Sequence, residues 1–220
     1  MTEQQYRENI VLLAKSYIGT KENDKYHHQI IDYYNSITPL PVGYKMKYTD
    51  AWCAAFVSVI YFLANCAEIF PFECSCGRML QEAIKMNIWI EDDSYHPKIG
   101  DCVLYDWQDS GKGDDKGWPD HVGIVIDTTE YTFTVVEGNC NDSVDTRTIS
   151  IDSLYIRGFI SPNFRALSGE PIDNNSPKEE LSDAQIWFRN TFHIVVNDGG
   201  WDDRVALTYK QLAEILYILK

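Results

Sequence analysis

The chain has 220 residues, a formal net charge of −14, 45% hydrophobic residues and 13% aromatic residues. This composition is typical of a globular protein with a hydrophobic core and excludes wholesale disorder. The acidic balance argues against nucleic acid as a partner, because binding to phosphates requires a basic surface. No run of about 20 apolar residues is present, so we expect no insertion into a membrane.

Apolar residues at helical spacing predict a first helix over residues 3–17, which ends near Gly19, a residue type common at helix C-termini. A polar second helix is predicted over residues 25–35, before two prolines. Residues 52–64 are apolar on nearly all sides, which is typical of a helix in the centre of a domain. Thr49 or Asp50 is the predicted N-cap of this third helix. A fourth helix is predicted over residues 77–86.

Beyond residue 100 the pattern changes to strands, which are predicted over residues 101–107, 121–127, 131–137, 146–151 and 154–159. Helices followed by consecutive antiparallel strands predict an α+β domain, which we place at residues 1–166. Gly, Pro, Asn, Ser and Glu dominate residues 167–182, which indicates a linker. Residues 183–220 contain two amphipathic helical patterns and form a predicted small tail.

Six cysteines are present: Cys53, Cys66, Cys74, Cys76, Cys102 and Cys140. The N-terminus lacks the features of a secretory signal, so we expect synthesis in the cytoplasm and reduced thiols. The spacing of Cys66, Cys74 and Cys76 lacks the paired Cys-x-x-Cys pattern of a zinc site, and we predict no metal there. Cys66 and Cys102 are expected to be inert packing residues.

A second set of residues has the pattern of a nucleophile with its helpers. Cys53 lies at a predicted helix start, where the positive end of the helix dipole favours a thiolate. His121 opens a predicted strand and can accept the thiol proton. Glu137 and Asn139 end the next strand of the same hairpin, and either can orient the imidazole. Each residue alone is more often structural than catalytic, so the prediction depends on their ordered combination.

Four motifs in this order resemble those of CHAP amidases and peptidases, members of the papain-like and NlpC-like cysteine hydrolases. They are Trp52-Cys53-Ala54-Ala55-Phe56-Val57, Gly100-Asp101-Cys102-Val103, His121-Val122-Gly123-Ile124-Val125 and Val136-Glu137-Gly138-Asn139. The resemblance spans roughly residues 17–164. It implies a papain-like α+β fold, with N-terminal helices packed on an antiparallel sheet and a small C-terminal helical appendage.

The resemblance also implies a mechanism and a substrate. Cys53 would attack an amide carbonyl and form a thioester, His121 would move the proton, and the N–H of Cys53 would help to bind the oxyanion. Glu137 is the preferred orienting residue, with Asn139 as the alternative. The implied partner is peptidoglycan, cut by an N-acetylmuramoyl-L-alanine amidase or a peptide endopeptidase.

Predicted substrate contacts come from the aromatic residues Trp52, Tyr48 and Trp118. Some CHAP enzymes bind calcium through an Asp-x-Asp cluster before the nucleophile. Residues 45–50 here contain two lysines and one carboxylate, so we expect no calcium, no other metal and no cofactor.

The tail has a fainter resemblance to helical peptidoglycan-binding domains, carried by residues 195–201 and Thr208. Asp202 stands where that motif has glycine, and a hairpin that only packs on the catalytic domain is the alternative. Together these features predict an endolysin-like enzyme that reaches the bacterial cell wall through a holin or after lysis. Two other interpretations stay open: a hydrolase or transferase of the same fold acting on a non-wall amide, and a catalytically silent wall-binding module.

Overall fold

The computed structural model describes residues 1–108 and 116–168, and within these ranges the chain forms five α-helices and one six-stranded sheet. The helices are α1 (Glu3–Ser16), α2 (Lys25–Ser36), α3 (Cys53–Leu63), α4 (Cys76–Lys85) and α5 (Arg165–Ser168). The strands are β1 (Trp89–Ile90), β2 (Cys102–Tyr105), β3 (His121–Thr128), β4 (Thr132–Glu137), β5 (Asp145–Ser150) and β6 (Ile156–Ile160). The predicted helical tail, and the predicted linker after residue 168, lie outside the described residues.

Side-chain caps explain where the first two helices begin. The Thr2 hydroxyl accepts the Gln5 backbone N–H while the Gln5 side chain accepts the Thr2 N–H, which is a complete capping box for α1. The Asp24 carboxylate accepts the backbone N–H groups of Tyr26 and His27 at the start of α2. The predicted positions of both helices are confirmed to within one residue.

Helix α3 is the central element, and its first nine residues are all buried. It packs against α1, α2 and the two strands β3 and β4. Its N-cap is Trp52, without a capping side chain, so the predicted N-cap at Thr49 or Asp50 is wrong. Asp50 instead accepts the Lys47 backbone N–H and closes the preceding loop. Of the described helices, none combines the length and apolar character needed to cross a membrane.

The sheet has the strand order β1-β6-β2-β3-β4-β5, and every neighbouring pair is antiparallel. Five of its strands contribute to one apolar cluster, which contains Val103, Tyr105, Val125, Phe133, Val135, Ile149, Ile156 and Phe159. The predicted α+β fold of papain-like type, with N-terminal helices on an antiparallel sheet, is confirmed. Strand β1 was not predicted, because two residues are too few to show an alternating pattern.

A buried ion pair joins α1 to the start of β2. Asp101 is fully buried, and one carboxylate oxygen lies 2.8 Å from the Arg7 guanidinium. The same carboxylate accepts the Lys98 backbone N–H and the hydroxyls of Tyr95 and Ser161. The Gly-Asp motif at the entry to β2 therefore contributes to stability here, because it fixes the first helix against the sheet.

We expect Asp101→Ala to lower the free energy of unfolding by about 3–5 kcal/mol, because it removes the buried partner of Arg7 and leaves this charge only the partly exposed Glu3. Urea denaturation followed by circular dichroism measures the change. Glu82→Ala is the control, since it breaks only an exposed pair with Lys85 and should cost less than about 1 kcal/mol. Equal losses in the two variants would contradict this role for the buried pair.

Candidate active site

Cys53 is the first residue of α3, and only 6% of its surface is exposed. The Ala54 backbone N–H at the helix start helps to lower the pKa of the Cys53 thiol. The end of β4 lies directly on this helix, because a Cβ atom at Gly138 would come within 2.5 Å of the Phe56 Cβ. Glycine at 138 is thus required for the strand that ends in Glu137 to reach the cysteine.

His121 and Glu137 meet on neighbouring strands beside Cys53. His121 is the first residue of β3, and the attraction between its ring and the Cys53 sulfur raises the pKa of the ring. Its Nε2 lies 3.3 Å from the Glu137 Oε2, an ion-pair distance when the ring is protonated. Gly123 makes this approach feasible, because a Cβ there would lie 2.9 Å from the Glu137 Cγ. The structure therefore brings these three predicted site residues together.

Arg147 on β5 holds the Glu137 carboxylate from the other side. Its Nε donates to both carboxylate oxygens at 3.0 and 3.1 Å, and its guanidinium lies 5.1 Å from the centre of the Trp107 ring. The sequence analysis missed Arg147. The available signal was a cation on the strand that follows the one ending in Glu137.

Asn139 does not take part in the same contacts. It occupies a left-handed backbone conformation with φ of 56° in the turn after β4, a conformation that asparagine tolerates well. Among the described contacts, none joins its side chain to His121. The geometry thus favours Glu137 over Asn139 as the group that orients the imidazole.

The contacts around the thiol and the imidazole favour an ion pair between them. The largest effect on the pKa of Cys53 is a hydrogen bond from the Cys76 thiol, which lowers this pKa. Burial raises the pKa, whereas the His121 ring and the Ala54 N–H lower it further. The resulting pKa lies well below the ordinary value for cysteine. Burial lowers the pKa of His121, but Cys53 and Glu137 outweigh it and raise this pKa to about 9. The arrangement therefore supports a thiolate beside an imidazolium at neutral pH.

Cys76 is the second site residue that the sequence analysis missed. It is the first residue of α4, and its sulfur lies 3.6 Å from the Cys53 sulfur. The Cys53 sulfur and burial together raise the pKa of Cys76 well above its ordinary value, so Cys76 keeps its proton and donates it. A cysteine at a predicted helix start was a usable signal, but its position opposite Cys53 depends on packing between α3 and α4.

Residues 43–139 match the family model of the CHAP domain. The chain contains a CHAP domain. This domain belongs to the papain-like and NlpC-like group of cysteine peptidases and amidases, as the sequence motifs indicated. Comparisons with curated proteins and with solved structures gave no match. The matched segment begins in the loop before α3 and ends just after Glu137, so it includes Cys53 and His121.

Trp52, one of the three predicted substrate contacts, does not line a groove in this CHAP domain. Its side chain is fully buried, with its ring centre 4.8 Å from that of His27 and its edge against Phe56. The prediction of a substrate contact is therefore corrected to a packing role, because no part of the indole reaches the surface.

The other two predicted aromatic contacts are exposed but lie in different places. Tyr48 stacks on His28 at 3.9 Å and donates its hydroxyl to Asp32, which directs its ring toward α2. Trp118 is 57% exposed and lies against Gly77, where a Cβ would come within 2.3 Å of three indole atoms. Because Gly77 follows Cys76 directly, Trp118 is the one of the three that is both exposed and beside the thiol pair.

A cleft of about 700 Å³ lies beside the N-terminus of α4, and neither Cys53 nor Cys76 lines it. It is lined by Val42, Gly43, Tyr44, Met46, Thr49, Asp50, Ala51, Glu73, Cys74, Ser75 and Arg78. Arg78 lies 3.1 Å from one oxygen of Glu73. Glu73 is buried, and its second oxygen has no partner in the described structure. The cleft thus contains a guanidinium that is anchored by a buried carboxylate.

The described residues show no group that would hold a metal ion. Across residues 1–108 and 116–168, no set of three or more His, Cys, Asp or Glu side chains converges in a way that could bind one. Asp50, the carboxylate closest before Cys53, accepts hydrogen bonds from the Tyr44 hydroxyl and the Lys47 N–H.

We expect Glu137→Gln to lower the pKa of His121 from about 9 and to raise the pKa of Cys53, because the imidazolium loses its carboxylate. The acid limb of Cys53 alkylation by iodoacetamide should therefore move to higher pH. The alkaline limb of the pH–activity profile, where the imidazolium loses its proton, should move to lower pH.

Asn139→Gly is the matched control, because glycine retains the positive φ of the turn while removing the amide. Both limbs should stay where they are in this variant. A shift in Asn139→Gly together with an unchanged profile in Glu137→Gln would make Asn139 the orienting residue.

Proposed function

We propose that the chain is a cysteine-dependent peptidoglycan hydrolase that cleaves an amide bond, as an N-acetylmuramoyl-L-alanine amidase or a peptide endopeptidase. The observation that carries the proposal is the contact series from Cys53 through His121 to Glu137 inside a CHAP domain. CHAP domains are typically cysteine-dependent amidases or peptidases of this kind, although some are inactive. An endolysin-like role at the bacterial cell wall is part of the same proposal.

In the proposed reaction the Cys53 thiolate attacks the carbonyl carbon of the amide and forms a tetrahedral intermediate. Backbone N–H groups at the start of α3 would donate to the developing oxyanion. The His121 imidazolium gives its proton to the amide nitrogen, the C–N bond breaks and the amine leaves. The resulting thioester is hydrolysed by a water molecule that His121 deprotonates, which releases the acid and restores the thiolate.

Glu137 and Arg147 would act through His121 and not on the substrate. The Glu137 carboxylate stabilises the positive imidazole and fixes the ring, as an acidic residue does in other nucleophile–histidine sites. Arg147 keeps that carboxylate ionised, because its two hydrogen bonds contribute to the lowered pKa of Glu137 against the effect of burial. Both residues are thus positioning residues in this proposal.

Cys53→Ala should abolish clearing of purified cell walls in a zymogram, because no other group supplies the thioester step. Clearing by this variant would contradict the assignment of Cys53. Mass spectrometry of the wild-type digest then identifies the bond, since an amidase frees the lactyl group and an endopeptidase creates new peptide termini. Cleavage of soluble amides without any attack on walls would favour a non-wall substrate, and an unreactive Cys53 would favour a silent module.

The cleft supports a stem peptide as the bound group. The Arg78 guanidinium can bind a carboxylate of the peptide by paired hydrogen bonds, and Glu73 fixes its orientation. Peptidoglycan stems offer such a carboxylate, whereas a simple amide does not.

Arg78→Gln should raise the KM for cell-wall fragments about tenfold with little change in kcat, because a charged hydrogen bond to the substrate is lost before the chemical step. Lys85→Gln is the matched control, since Lys85 is also a cation of α4 but is exposed and outside the cleft. Steady-state kinetics on soluble muropeptides measures both. Equal KM values for Arg78→Gln and wild type would contradict a carboxylate contact at Arg78.

A further inference from the structure

The two sulfurs at the starts of α3 and α4 are the most unusual feature of the site. The Cys53 and Cys76 sulfurs are 3.6 Å apart, which is contact distance for two sulfur atoms. Among the described residues no other pair of thiols is in hydrogen-bonding contact. Cys66 and Cys102 direct their sulfurs to a backbone carbonyl and to the Tyr61 hydroxyl instead.

We propose that Cys53 and Cys76 form a reversible disulfide, which makes this pair an oxidative modification site that blocks the Cys53 thiolate. The S–S bond length is about 2.05 Å, so the sulfurs have only a short distance to close. Each cysteine is the first residue of its helix, and rotation about its single side-chain bond moves the sulfur.

With hydrogen peroxide as the oxidant, the reaction has two balanced steps. The Cys53 thiolate attacks one peroxide oxygen, the O–O bond breaks, and Cys53 becomes a sulfenic acid while hydroxide leaves. The Cys76 sulfur then attacks the Cys53 sulfur, the S–O bond breaks, and water leaves with the thiol proton of Cys76. A dithiol reductant returns two electrons and restores both thiols.

The electrostatics of the pair favour this order of events. The ionised Cys53 is the thiol that reacts first, since oxidation follows thiolate character. The Cys53 sulfur, the largest cause of the raised pKa of Cys76, loses its negative charge when it is oxidised. Cys76 then lies at a helix start and faces a neutral sulfenic acid. Because the negative charge of Cys53 is gone, Cys76 can lose its proton more easily.

The test treats the full chain with hydrogen peroxide, blocks free thiols with iodoacetamide and maps the peptides by mass spectrometry. We expect a cross-linked peptide containing Cys53 and Cys76, with the loss of two hydrogen atoms. Iodoacetamide labelling of Cys53 should fall at least about tenfold and recover after dithiothreitol. These readouts need no cell-wall substrate, so they decide this inference even if the proposed function fails.

Two serine variants separate the partner from its neighbour. Cys76→Ser should give no cross-link, and Cys53 should pass to sulfinic acid, which dithiothreitol does not reverse. Cys74→Ser is the matched control, because Cys74 lies two residues from Cys76 and burial raises the pKa of its thiol. This variant should keep the cross-link and the recovery. A cross-link from Cys53 to Cys74, no cross-link in the wild type, or full recovery in Cys76→Ser would each overturn the proposal.

Discussion

A thiolate at the first turn of a buried helix is the constraint on which the rest of this structure depends. Burial alone would keep Cys53 protonated, as it does for Cys66, whose pKa is raised to about 12. At Cys53 the opposing contributions come from Cys76, His121 and the helix start, and all three exist only because separate elements converge there. Helix α4, strand β3 and the end of β4 must therefore be held in place for this one ionisation to occur.

Three arginine–carboxylate pairs help to hold those elements in place. Each has a buried carboxylate: Asp101 with Arg7, Glu73 with Arg78 and Glu137 with Arg147. Asp101 fixes α1 to the sheet, Glu73 lines the cleft, and Glu137 lies beside His121. Removing one of these arginines would leave a buried carboxylate without its countercharge, so each pair fixes the elements that it joins. Arginine suits the role because its planar fork can bond both oxygens of one carboxylate.

Sequence reasoning reached the fold and the main site residues because their signals are local. The helix over residues 53–63 is marked by its apolar run, and His121 and Glu137 by their places at strand ends. Burial of Trp52 and the orientation of Tyr48 were not predictable in this way, because both depend on contacts with α2. The predictions of an α+β fold and a CHAP domain are confirmed, whereas the roles of the site residues stay predictions.

Cys76 shows why some contacts of the active site cannot be predicted from the sequence alone. It lies 23 positions after Cys53 in the sequence. The spacing of Cys74 and Cys76 does not fit a zinc-binding motif, so the sequence indicated no function for Cys76. In the folded chain the same thiol supplies the largest contribution to the lowered pKa of Cys53 and is the nearest sulfur to it. These two properties have one cause, because a donor close enough to hydrogen-bond a thiolate is also close enough to capture its oxidised form. Any fold that activates a cysteine with a second thiol therefore acquires a route to reversible inactivation, and serine at position 76 would keep a donor while removing that route.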